Sequence, residues 1–121
     1  MALHIEQRRI IVRKEKISYS FYVAGVQFHE LKKCINEIHE GDELQIAIET
    51  DERVLKHDSN AVKIIFDGEE SVYMVGFVPM KRDLSVKVTV LLELGKAKCT
   101  VLEVTPTAKT WEQLKVRIEE V

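Results

Sequence analysis

Four histidines, two cysteines and twenty carboxylates are the residues of this chain with chemistry to offer. His57 and Asp58 adjoin, but neighbours on an extended segment point to opposite faces, so adjacency alone does not make them an acid–base dyad. Cys34 and His39 lie five apart on an expected helix and diverge. Cys99, His4, His29 and His57 lack the spacing of roughly two to four residues that pairs zinc ligands. A glycine-rich phosphate cradle, a serine nucleophile elbow and a His-Glu-x-x-His helix are all missing from the sequence. The expectation is a protein without catalytic residues, metal or cofactor. Three short strings remain: Val23-Ala24-Gly25-Val26-Gln27-Phe28-His29, Lys56-His57-Asp58-Ser59-Asn60-Ala61-Val62 and Met74-Val75-Gly76-Phe77-Val78-Pro79. Singly, they read as a strand exit, a turn rich in Asx residues and a strand stop.

The elements that must position these strings follow from periodicity. From Ile17 the pattern alternates, with Ile17, Tyr19, Phe21 and Val23 on one side and Tyr22, Ala24 and Val26 on the other. Apolar residues on both sides predict a buried strand, and Gly25 marks a bulge or a close backbone approach. Leu31, Cys34, Ile35 and Ile38 then fall at helical spacing. They predict a helix of about three turns over residues 29–40, capped by Gly41. Leu44, Ile46 and Ile48 form a second strand, residues 50–60 a loop, Val62, Ile64 and Phe66 a third strand, and residues 72–78 a fourth. Asp67-Gly68 signals a hairpin, since both residues tolerate positive φ, and Pro79 ends the fourth strand. Residues 81–94 fit two patterns: Val86, Val88 and Val90 alternate, while Leu84, Val88, Leu91 and Leu92 share a helical face. Residues 96–105 make a fifth strand. Thr110 followed three residues later by Gln113 is a capping-box pattern, and it predicts a short C-terminal helix carrying Trp111 and Ile118.

One domain accounts for 121 residues, of which 45% are hydrophobic and 31% charged. That balance excludes disordered, collagenous and disulfide-stapled classes. No apolar run is long enough to span a membrane, and a charged stretch from Glu6 to Lys16 leaves no signal peptide, so a cytoplasmic protein is expected. Cys34 and Cys99 are expected as two small buried side chains. The net charge of −2 argues against duplex binding driven by phosphate neutralisation. Charge is nonetheless polarised, at +3 over residues 1–18 and −6 over residues 30–52. The fold expected is mainly β (α+β): a small OB-like barrel of five to six strands over residues 17–106, with two helices packed on it. Residues 1–16 form an unassigned lead-in, and residues 107–121 the C-terminal helix.

In their order along the chain, the three strings resemble the HIRAN domain family. The resemblance comprises Gly25 to Phe28, Gly41-Asp42, Glu49, Asp58-x-Asn60-Ala61-Val62 and Val75-Gly76-Phe77-Val78-Pro79. It implies an OB-like barrel with a second helix after the proline, which favours the helical pattern for residues 81–94. Family members such as the N-terminal module of helicase-like transcription factor recognise the 3′ end of single-stranded DNA. The resemblance therefore implies a nucleic-acid-binding site at Gln27, Phe28, His29, His57, Asp58 and Asn60. Phe28 and His57 would stack on the terminal base from opposite sides, and Asp58 would accept a hydrogen bond from the 3′-hydroxyl. The implied partners are a single-stranded DNA 3′ end and a helicase, nuclease or other DNA-processing protein, in a DNA-repair setting and with no membrane. Gln27 stands where the DNA-binding eukaryotic member has Arg, and His57 where it has Tyr. Those two departures are also what a regulatory or protein-interaction domain that kept only the barrel would show.

Overall fold

A computed structural model describes residues 16–121. The polar and β-branched lead-in, including Ile10 to Val12, lies outside them. Six antiparallel strands form the body: β1 (Ser18–Tyr22), β2 (Glu43–Ile48), β3 (Val62–Asp67), β4 (Val72–Phe77), β5 (Ala97–Val104) and β6 (Leu114–Glu120). Their spatial order is β1-β6-β5-β2-β3-β4. The sheet curls until its outer members meet. Just past β1, Ala24 pairs with Phe77 at the end of β4, with the Ala24 N–H donating to Phe77 O (2.9 Å) and the Phe77 N–H to Ala24 O (2.8 Å). This joins the edges at one end, giving a half-closed OB-like barrel in the α+β class and removing part of an exposed strand edge.

The core lies inside the curl. Leu44, Val62, Ile64, Val75, Val101, Leu114, Val116 and Ile118 are almost fully buried, and each such side chain contributes about 1.5–3 kcal/mol relative to exposure. Among the described residues one α-helix has any length, Leu84–Glu93, and it seals one side by burying Ser85, Val88 and Leu91. It follows Pro79, so the helical pattern of residues 81–94 prevails over the alternating one.

Several expectations change. The C-terminal helix reduces to one 3-10 turn, Thr110–Glu112, and the chain then runs as β6. Leu114, Val116 and Ile118 are buried while Lys115, Arg117 and Glu119 are not, which is strand alternation. β6 sits between β1 and β5 and pairs along most of its length with both. The domain therefore extends beyond residue 106. The helix expected over residues 29–40 is one α-turn, α1 (Leu31–Cys34), followed by a 3-10 turn, Ile35–Glu37. Its apolar face is as expected, with Leu31, Cys34, Ile35 and Ile38 buried. β1 is half exposed and not buried on both sides: Phe21 is inside, while Ser18, Ser20 and Tyr22, and Ile17 just before the strand, meet solvent. The loop of residues 50–60 holds a further turn, α2 (Glu52–Leu55), so the long helix Leu84–Glu93 is α3. The β3–β4 hairpin closes through the Gly68 N–H donating to Ser71 O, and positive φ at Asp67 or Gly68 plays no part. Both cysteines are buried and unpaired.

Candidate nucleic-acid interface

A cleft of about 640 Å³ opens where the barrel closes, within the range of roughly 300–1,000 Å³ usual for ligand sites. The three strings converge on it. Ala24, Gly25 and His29 come from the segment after β1, His57, Asp58 and Ala61 from the segment before β3, and Phe77, Val78 and Pro79 from the end of β4.

Two glycines make this meeting sterically possible. Gly25 takes φ 70° and opens the 3-10 turn Val26–Phe28, a conformation that carries no steric cost without a Cβ. At Gly76, a Cβ would lie 2.5 Å from Ala24 O and 2.6 Å from Val23 Cγ1. β4 can lie against the 23–26 segment only because residue 76 has no side chain. The register also shifts here, with Ile64 opposite Gly76 and Ile65 opposite Met74. Val75 is the extra residue of the bulge, a device that bends a strand and redirects its side chains.

His29 enters the cleft edge-on to Phe77, with ring centroids 5.1 Å apart and planes at 75°. That packing fixes the imidazole and leaves its remaining surface to the cavity. The opposite wall is a chain of local hydrogen bonds. Glu49 Oε1 accepts from the N–H groups of Thr50 (2.8 Å) and Asp51 (3.0 Å), which turns the chain out of β2. Asp51 Oδ1 then caps α2 by accepting from the Arg53 N–H at 2.9 Å. Arg53 Nη2 lies 3.0 Å from Asp51 Oδ2, and this hydrogen-bonded guanidinium holds the Asp51 carboxyl below its ordinary range and raises Arg53 in turn. Beyond α2, the N–H groups of His57 and Asp58 both donate to Val54 O. His57 is thereby presented as an exposed ring at the cleft wall.

Asp58 Oδ1 accepts from the Asn60 N–H at 3.0 Å in an Asx turn. No donor among the described residues engages Oδ2. The carboxylate is thus anchored by one oxygen, and the other is left without a protein donor among the described residues.

The six residues expected at the site divide in two. His29, His57 and Asp58 line the cleft; Gln27, Phe28 and Asn60 do not. Phe28 is 80% exposed on the turn between Gly25 and His29, both lining residues. The rings that line the cleft are therefore those of His29, His57 and Phe77, with Phe28 outside. Asn60 acts through its backbone, and its side chain reaches only Ser59 Oγ. Sequence reasoning missed Asp51, Arg53, Val54 and Met80, and it gave Phe77 no role. Phe77 lay inside a string already singled out, whereas nothing at the sequence level marks Arg53. No family model, curated protein or solved structure matches the chain.

Proposed function

We propose that the cleft holds the 3′-terminal nucleotide of a single-stranded nucleic acid, and that the chain is a non-catalytic HIRAN-type binding module. The observation that carries this reading is the convergence of His29, His57 and Asp58, from two distant segments, on one cleft walled by Phe77 and Pro79. Imidazole faces stack on a base without regard to its identity, and aromatic stacking contributes about 1–3 kcal/mol per base. Asp58 Oδ2 accepts from a 3′-hydroxyl and repels a 3′-phosphate. Arg53, at the same cavity and paired with Asp51 through Nε and Nη2, has Nη1 left to donate to the phosphate on the 5′ side of that nucleotide. Few phosphate contacts are needed, in keeping with a net charge of −2.

No helix among the described residues is long and apolar enough to cross a membrane. The two unpaired thiols, Cys34 and Cys99, support a reducing, cytoplasmic setting. A module that grips an end without acting on it would serve a helicase, nuclease or other DNA-processing partner.

The test is a fluorescence titration with a short oligonucleotide ending in a 3′-hydroxyl and its 3′-phosphorylated twin. Tighter binding of the hydroxyl form is expected. Equal affinity rejects end reading, and no binding to any DNA or RNA favours a protein-interaction role for the barrel.

A further inference from the structure

A second cavity, of about 860 Å³, runs along β1 and continues the first, since Ala24 and Pro79 line both. Its charge is opposite in sign to that of the whole chain. Lys81, Arg82, Lys87 and Lys115 line it against one carboxylate, Glu112. Its walls also carry Tyr19 and Tyr22 of β1. The cations are set over these rings: Lys87 Nζ is 5.9 Å from the Tyr19 centroid and Lys115 Nζ is 5.5 Å from that of Tyr22. Lys115 also lies 3.5 Å from Glu103, a surface ion pair worth little in water. Lys87 has no carboxylate within ion-pair distance among the described residues.

We propose that this groove carries the strand on the 5′ side of the end-bound nucleotide, with Lys87 and Lys115 on its phosphates and Tyr22 against a base. The inference rests on the end-binding reading above and extends it to residues outside the cleft. Charge complementarity and continuity with the cleft argue for this occupant: a row of cations alternating with aromatic rings is how single strands are held without sequence preference. β1 from Ser18 to Tyr22 spans about 13 Å, which suits a few nucleotides and not a long tract. A bound acidic peptide would also neutralise the cations, but it would show no dependence on the nucleotide end in the adjoining cleft.

The experiment measures affinity and salt dependence for oligothymidylates of two, four, six and eight nucleotides with a free 3′-hydroxyl. The proteins are the full chain, the double variant Lys87→Gln with Lys115→Gln, the variant Tyr22→Ser, and a charge-matched control, Lys32→Gln with Lys98→Gln, at lysines outside both cavities. For the wild type and the control, affinity should rise by about tenfold between two and six nucleotides, as one further stacked base gives. In the lysine double variant the rise should flatten, and the slope of log affinity against log salt should fall by about 1.4, roughly 0.7 for each lost phosphate contact on a single strand. Tyr22→Ser should reduce the rise while leaving the salt slope unchanged. A lysine variant that keeps both the length dependence and the salt slope overturns the groove, even if the 3′-hydroxyl is still preferred. A control variant that loses as much as the double variant overturns it too, because the effect is then general charge. Length dependence lost in the double variant, with no preference for the 3′-hydroxyl in any protein, keeps the groove and removes end reading. Failure of every length to bind removes both.

Discussion

Gly76 and Ala24 approach so closely that a methyl group on the glycine would stand 2.5 Å from the Ala24 carbonyl oxygen. The same oxygen accepts the Phe77 N–H at 2.8 Å, in the pair of hydrogen bonds that joins the two edges of the barrel. Closure of the fold and construction of the cleft are therefore one event. Backbone contact at this point sets Phe77 beneath His29 and sets both beside the His57 turn.

Gly76→Ala should accordingly destabilise the protein by about 1–3 kcal/mol, the range for forcing extra volume into a packed interior. It should also weaken oligonucleotide binding, because its clash is with backbone. Thermal or urea unfolding followed by titration at a temperature where the variant is folded checks both effects. An unchanged melting temperature would mean that the edges are not held together here.

Asp58→Asn separates anchoring from recognition. The amide oxygen can still accept the Asn60 N–H, so the Asx turn and stability should survive. Without the charge, discrimination between 3′-hydroxyl and 3′-phosphate should shrink, mostly through better binding of the phosphate. Parallel titrations of the two oligonucleotides read this directly. Full discrimination in the variant would assign the selectivity to other groups.

His29→Ala and His57→Ala should each weaken binding by about 1–3 kcal/mol if each ring stacks on the base. Phe28→Ala, outside the cleft, should have a smaller effect. Circular dichroism will confirm folding, since His57 is exposed and its truncation leaves no core cavity.

Alkaline pH should destabilise the fold through its thiols. Burial pushes Cys34 up to about 11 and Cys99 up to about 12 from an ordinary 9.0, with Glu37 and Glu30 adding to the first and Glu43 to the second. The folded state holds these protons while the unfolded state releases them. Stability is thus intact below about pH 9 and declines from pH 9 towards 11 and 12. Cys99→Ala should flatten that decline, as judged by urea midpoints at pH 8 and pH 10.5. Native thiols should resist a disulfide reagent at pH 8 and react only on unfolding.

Truncation after Pro106 should abolish cooperative unfolding, because β6 lies between β1 and β5. This is the point at which local sequence signals misled. Thr110 and Gln113 have the spacing of a capping box, yet Leu114, Val116 and Ile118 alternate at strand period, and pairing on both sides decides the outcome. The same override shortened the helix after β1: four apolar positions at helical spacing are satisfied by one α-turn and one 3-10 turn. Gly25, Asp58 and the Val75-Gly76-Phe77-Val78-Pro79 string were legible, because backbone conformation and close approach restrict residue type. Which side chain of the Val26–Phe28 turn and its neighbours enters the cleft was not legible. That choice depends on the left-handed geometry at Gly25 and on the Phe77 ring below, so His29 lines the cleft and Phe28 does not. Arg53 joins through a capped turn, α2, too short to show a period.

The most direct examination of the cleft is a two-dimensional NMR titration that follows the imidazole resonances of His29 and His57 as a short 3′-hydroxyl oligonucleotide is added. Both rings should shift together and saturate at one equivalent, while His39, outside the cleft, stays in place. Ring signals of His29 and His57 that remain fixed while the oligonucleotide binds would show that the strand end lies elsewhere.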